Sequence, residues 1–366
     1  MNHLASRRRF LRLLTMASAG AALGPWRASD RASAQSAAPA APPGPAVARQ
    51  VEQWYQGARK EGKVVWWDAW DKDIVEKLAA AFMKRYPGVT LEAFLGTDDD
   101  TKLRALAEGR AGNVTFDVIV TSSGNYFEYK KAGLVTDNSD VLDAIGVPKE
   151  LRYEGTYDPT YFVYGAAYNP NLVKESELPR TWEGFLDPKW KGQLAVESRL
   201  KLFVFATPFW GGEEKVISYL QRLRTQAPRF VKGDIASNKL LVAGEFPILL
   251  PSYLTNYPRY VPQGAPWGYV PLEEVYVTGG GPGYTRPPNA PHPNAGKLFM
   301  YWFMGPEGQA IFDERFTGNP MPGANTGPAR FLEKHKITPR LVPVKYEQEI
   351  ASYTRKYADA VGLPIR

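Results

Sequence analysis

The residues that could do chemistry fall in short runs, each just past an apolar segment of strand character. The first run is Trp67-Asp68-Ala69-Trp70-Asp71. A carboxylate set between indoles suits a cation, which the carboxylate pairs and the aromatic faces attract. The same residues could instead be core tryptophans beside a capping Asp68. The second run is Gly96-Thr97-Asp98-Asp99-Asp100, in which Asp98 is placed to face a cleft with Thr97 beside it, the remaining carboxylates serving as helix-start charge. The third is Thr121-Ser122-Ser123-Gly124-Asn125, where Ser122, Ser123 and the Gly124 amide at a helix start form either an anion cradle or a plain N-cap. The fourth is Glu197-Ser198-Arg199; Arg199 can grip an anion with two parallel bonds or pair locally with Glu197. The fifth holds Tyr253 and Tyr257, with Tyr164 in a tyrosine-rich run upstream.

Nucleophilic chemistry has little to work with. Cysteine is absent, which removes disulfides, thiolate metal sites, iron–sulfur clusters and a cysteine nucleophile. Past the N-terminal segment the only histidines are His292 and His335, and no Gly-x-Ser-x-Gly elbow is present. Two histidines cannot make a three-His zinc site. Gly279 to Gly283 is a loop without the Lys-Ser or Lys-Thr of a phosphate-binding motif. A carboxylate-pair glycosidase stays open on composition, so the rival class is an exported carboxylate-dependent hydrolase. No cofactor is expected.

These runs need elements to position them. Strands are expected at 63–67, 89–94 and 116–120, with helices between them whose faces repeat every three or four residues, as in Ile74, Leu78, Phe82 and Tyr86. Asp71 is placed to cap the first of these helices, and another helix is expected over 101–111. This βαβαβ order predicts a parallel sheet in an α/β fold. Ligands of such sheets sit off the carboxyl ends of the strands, so the first three runs should converge. Further strands are expected at 161–168, 193–197 and 246–250, and helices at 212–225, from about 237 to 244, around Phe331, and over 344–361. Residues 290–309 read as a loop, then a helix capped by Asn294 with Ala295, Leu298, Phe299, Trp302 and Phe303 on one apolar face. A break at Gly305 and a second helix from Pro306 follow.

The chain of 366 residues is long enough for two lobes, and no run of about 18 apolar residues appears. Its net charge of +7 is concentrated at the N-terminus, where residues 1–34 hold six Arg and one Asp; the remainder is near +2, which is no nucleic-acid footprint. Ser6-Arg7-Arg8-Arg9-Phe10-Leu11-Arg12 matches a twin-arginine export signal, followed by an apolar stretch and by Ala32-Ser33-Ala34 as a cleavage site. Residues 35–50, rich in Ala and Pro, read as a disordered lead-in. The product expected is a soluble, exported periplasmic protein without a lipid anchor.

Pro291 to Gln309, Gly244-Glu245 ahead of a strand, and Asp187-Pro188-Lys189-Trp190-Lys191-Gly192 resemble the periplasmic solute-binding proteins of ABC importers, in the cluster of ferric-ion, thiamine, polyamine and phosphonate binders. The resemblance covers about residues 58–330. It implies the type II periplasmic-binding-protein fold, with two α/β lobes, two crossing strands as hinge and a ligand cleft between them. Residues 51–162 plus 277–327 would form lobe 1, and 163–276 plus 328–366 lobe 2. It implies a monomeric receptor that delivers an ion or small solute to an inner-membrane ABC permease after passing the Tat translocase. A sensor partner would use the same fold. Ferric binders of the family carry an adjacent tyrosine pair past the strand after Gly-Glu. Here Tyr253 stands between Ser252 and Leu254, Tyr257 follows four residues on, and Trp67-Asp68 replaces the histidine some of them use. If iron is bound, Tyr253, Tyr257 and Asp98 are the ligands implied. His292 is read as a loop residue.

Overall fold

The computed structural model describes residues 44–121, 123–279 and 283–363. The export signal over 1–34, the start of the lead-in, Ser122 and residues 280–282 lie outside them. The helices and strands in chain order are α1 Pro45–Glu61, β1 Lys63–Asp68, α2 Lys72–Arg85, β2 Thr90–Leu95, α3 Asp98–Ala111, β3 Val118–Val120, α4 Ser123–Lys131 and α5 Ser139–Ile145. Then come β4 Phe162–Tyr168, β5 Leu194–Glu197, α6 Lys201–Ala206, α7 Glu213–Thr225, β6 Arg229–Val231, α8 Asp234–Val242, β7 Ile248–Tyr253, α9 Tyr257–Tyr260, β8 Gly268–Tyr269 and β9 Glu274–Thr278. The chain finishes with β10 Tyr284–Thr285, α10 Pro293–Met304, α11 Pro306–Phe312, α12 Gly327–Lys334, β11 Thr338–Leu341, α13 Val344–Gln348 and α14 Ile350–Val361.

Two sheets organise these elements. The first has the order β10-β3-β1-β2. Its three early strands are parallel, with Lys63 opposite Thr90 and Trp66 opposite Val118, and β10 joins antiparallel. The second has the order β11-β9-β4-β7-β5-β6, with β8 also on β4. β4 carries the chain from the first sheet into the second, and β9 lies antiparallel beside it before the chain returns to β10. The two crossings are therefore one hydrogen-bonded pair, with Phe162 opposite Thr278.

The expected βαβαβ order and the α2 face are present, and Ile74, Leu78, Phe82 and Tyr86 are buried. Alternation along β1 sends successive tryptophans to opposite faces. Trp66 meets Phe299 and Phe303 of α10 at 5.1 and 5.4 Å, while Trp67 meets Phe94 and Phe116 at 5.1 and 4.7 Å on the other side. The five apolar residues named on α10 are all buried, so this helix packs the core of the first sheet.

Several local expectations fail for identifiable reasons. Residues 45–50 belong to α1 rather than to a disordered lead-in, because Pro45 sits at the helix start with φ already set and the helix docks on α10. Gly57 lets the two approach; a Cβ there would lie 2.4 Å from Asn294. Asn294 is not the cap of α10, since Pro293 starts the helix and His292 takes the cap position. The free first-turn amides are met from outside instead, Glu61 accepting from the backbone of Asn294 at 3.2 Å and of Ala295 at 2.8 Å. Asp71 precedes α2 without a capping bond, its carboxylate going to arginines. α3 starts at Asp98, three residues early, because Thr97 and Asp100 close a capping box at 3.2 and 3.1 Å. α8 starts at Asp234, where Gly233 with φ 88° turns the chain off a three-residue strand too short to show a period. β7 runs on to Tyr253 because its pairing with β4 continues across a bulge.

His292 lies in the bend before α10, as expected, and is held there by side-chain contacts. The buried Asp117 accepts from the backbone of His292 at 2.6 Å, lies 2.8 Å from its Nδ1, and accepts from the Val65 amide at 2.7 Å. One carboxylate thus ties β1 to the start of α10.

Candidate functional site

A cavity of about 660 Å³ opens between elements of the two sheets. On the first-sheet side Trp70 and Asp71 follow β1, and Arg315 comes from the turn after α11. On the other side stand Phe162 at the start of β4, Arg199 after β5, Tyr253 at the end of β7 and Arg259 from α9. The first turn of α8 enters between them with Gly233, Asp234, Ile235 and Ala236, followed by Lys239. Thr255 and Asn256 complete the lining.

Local sequence explains each placement. Arg199 sits two residues past the buried Glu197, whose Oε1 accepts from Arg199 Nε at 2.8 Å and from the Gly233 amide at 3.0 Å. That carboxylate anchors both the guanidinium and the loop before α8. Burial acts against the Arg199 charge, but Tyr253 and Glu197 outweigh it and hold the proton more firmly than usual. Asp234 accepts from Asn238 Nδ2 at 2.9 Å and from Asn256 Nδ2 at 3.1 Å. Burial pushes its carboxyl up to about 6, against the opposing bond from Asn256 and the nearby Arg259 and Arg199. Burial also raises the Tyr253 phenol, which stays neutral and hydrogen-bonded with Tyr164 at neutral pH. Asp71 lies 3.6 Å from Arg259 and 3.8 Å from Arg315, linking the two sides of the cavity. Trp70 and Phe162 stack at 6.1 Å with planes 5° apart, and Tyr253 meets Phe162 edge-on at 6.3 Å.

Of the residues singled out from sequence, Trp70, Arg199 and Tyr253 come together here. Glu197 stands behind Arg199. Ser198 is half-buried beside them, its amide bonded to Val231. Trp67, Asp68, Thr97, Tyr164 and Tyr257 are placed elsewhere. Trp67 is core, with Arg104 over its ring at 4.4 Å. Asp68 is buried, accepting from the Ala69 amide at 2.7 Å and sharing a hydrogen bond with the Tyr284 hydroxyl. Thr97 is spent on the capping box. Asp98 begins α3, and Ser123 and Gly124 begin α4. Tyr164 packs on Phe205 and Tyr253 at 4.8 and 4.6 Å. Tyr257 is buried and stacks on Phe316 at 5.0 Å. So only one of the three first-sheet loops, the one after β1, lines the cavity among the described residues. Asp234, Lys239, Arg259 and Arg315 were missed. Asp234 alone left a sequence signal, as an aspartate after glycine at the start of an apolar helix.

Residues 77–334 match the family model described as bacterial extracellular solute-binding protein. The chain belongs to that family. A relative, the Fe(3+)-binding periplasmic protein of Serratia marcescens, is 23% identical over 280 residues, covering 70% of this chain and 78% of its own. Among solved structures, the substrate-binding protein of an ABC transporter from Agrobacterium tumefaciens is 16% identical with a TM-score of 0.65, covering 83% and 96% of the two chains. A Trichodesmium protein described as IdiA or FutA, in complex with iron and citrate, is 20% identical with a TM-score of 0.65, covering 83% and 100%. The solute-binding protein described here therefore has the two-lobed type II fold, its two crossing strands paired as β4 and β9. Among the described residues no helix is long and apolar enough to cross a membrane.

Proposed function

We propose that this receptor clamps one small solute in the cavity between Trp70, Asp71 and Arg315 on one lobe and Arg199, Tyr253 and Arg259 on the other. The observation that carries the reading is the position of Asp71, whose carboxylate reaches an arginine from each side. A solute that competes for those arginines would couple its binding to lobe movement about the paired crossing strands β4 and β9. The lobes divide as residues 51–162 plus 277–327 and 163–276 plus 328–366. Delivery is to an inner-membrane permease, and the receptor acts as a monomer without turnover. Titration of the processed protein with ferric salts, thiamine, polyamines, phosphonates and amino acids is expected to give saturable 1:1 binding to one class. Its melting temperature should rise, by about 2.7 kcal/mol of stabilisation at a hundredfold excess over Kd, with the solute recovered intact. No response across all five classes would sink the reading.

Ferric ion is the second reading, since relatives bind iron. Tyr253 lines the cavity as that reading needs, whereas Tyr257 is outside the lining and stacks on Phe316.

Export by the twin-arginine route fits Arg7-Arg8 followed by Phe10-Leu11. Changing Arg7→Lys together with Arg8→Lys is expected to leave unprocessed precursor in the cytoplasm, as fractionation would read. Unchanged periplasmic yield would point to the general secretion route.

A further inference from the structure

We infer that the solute is an organic oxyanion with a flat or apolar body, its charged head on Arg199 and Lys239 and its body against Trp70 and Phe162. This rests on the reading of the cavity as the solute site.

The sign follows from which charges the protein has already used. Of the acids lining the cavity, Asp71 faces Arg259 and Arg315, and Asp234 accepts from Asn238 and Asn256. The cations are less committed. Arg199 spends Nε on Glu197 and, among the described residues, neither terminal nitrogen has a hydrogen-bond partner. Its side chain is 39% exposed, so the fork can receive a ligand. Lys239, exposed on the cavity wall, has no ion pair among the described residues. α8, nine residues long, points its first turn at the same place, and its cap residue Gly233 supplies no side chain to the first amides. Partial positive charge at that end adds to the two cations. A polyamine or other polycation would meet this surface with the wrong sign.

The body follows from the aromatic residues of the same lining. Trp70 and Phe162 lie almost parallel, and Tyr253 closes the corner edge-on. A ring or short apolar chain would bury itself there, whereas a bare metal ion would leave the wall uncovered. Carboxylates and phosphate esters share the oxyanion chemistry that a guanidinium fork reads in two parallel bonds.

Calorimetric titration of the processed protein tests this with matched probes. 4-Hydroxybenzoate and glucose 6-phosphate represent the two oxyanion heads; 4-hydroxybenzamide and glucose are their uncharged counterparts, and thiamine and spermidine the cations. At least one oxyanion is expected to bind 1:1, and its uncharged counterpart at least about tenfold more weakly. Arg199→Gln should weaken that oxyanion about 100-fold, Arg199→Lys less because it keeps charge without the fork, and Lys239→Gln about fivefold. Lys239 is exposed, so its variant still reads out if Arg199→Gln folds poorly. Binding of thiamine or spermidine alone, unaffected by Arg199→Gln, overturns the oxyanion assignment and leaves the receptor reading standing. Oxyanion binding insensitive to both variants overturns the placement. Silence from every probe here and from the five solute classes above overturns both readings.

Discussion

Asp117→Ala is expected to destabilise the protein by about 3–5 kcal/mol, the largest loss foreseen for any single polar residue here. Asp117 is fully buried and accepts from two backbone amides, those of Val65 and His292, while facing the His292 ring. Burial raises its carboxyl pKa, against the hydrogen bonds from Val65 and His292. Alanine would strand both donors and leave a hole between β1 and the start of α10. An asparagine side chain would keep one acceptor but turn its amide toward a donor, so Asp117→Asn should cost less, about 2 kcal/mol. His292→Ala, which leaves the carboxylate with both amides, should cost less still. Urea unfolding monitored by tryptophan emission, with comparable m values, would order the three variants. A loss below about 1 kcal/mol for Asp117→Ala would show that water replaces the carboxylate and that the junction is not a structural tie.

The second large effect is a pH dependence centred on Asp234. Its folded pKa is about 6 against an ordinary 3.8, with burial as the first cause. The folded protein therefore holds a proton that the unfolded chain releases between about pH 4 and pH 6. Stability from this group is complete below about pH 4 and is lost as pH rises through about 6, a decline of at most about 3 kcal/mol by the usual conversion. Because Asp234 is only half-buried by its surface exposure, we expect about 1–2 kcal/mol after solvent screening. Asp234→Asn keeps an oxygen for Asn238 and Asn256 and removes the titration. It should be more stable than the parent protein at about pH 8, and the difference should shrink toward about pH 4. Thermal melts of both proteins from about pH 4 to about pH 8 give the comparison. A constant offset across that window would mean that Asp234 titrates normally in the fold. The same substitution removes a negative charge from the cavity, so oxyanion affinity should rise at the alkaline end of the window.

Much of the scaffold was legible from local pattern. Apolar runs between turn residues marked β1 to β3, and helical spacing marked α2 and α10, because both signals need only about a dozen neighbouring residues. What failed locally was settled by partners far off in the chain. Asn294 yielded its cap to Glu61, and β7 lengthened because β4 lies alongside it. Three-residue β6 and four-residue β11 carry too little pattern to show. Nor could the sequence separate Trp66 from Trp67 beyond their opposite faces, and Asp68 reads as a ligand until Tyr284 is seen beside it.

By itself the sequence determined the α/β class and the solute-binding family, because these rest on contiguous motifs and repeated spacing. It also placed Trp70, Arg199 and Tyr253 at the edges of their strands. Only the tertiary structure decided that these three share a cavity with Asp234, Lys239, Arg259 and Arg315, and that Trp67, Tyr164 and Tyr257 face the core. The physical reason is that a cleft is made by side chains from segments as far apart as Trp70 and Arg315. Their approach is fixed by packing and by the paired crossing strands, which no local spacing records.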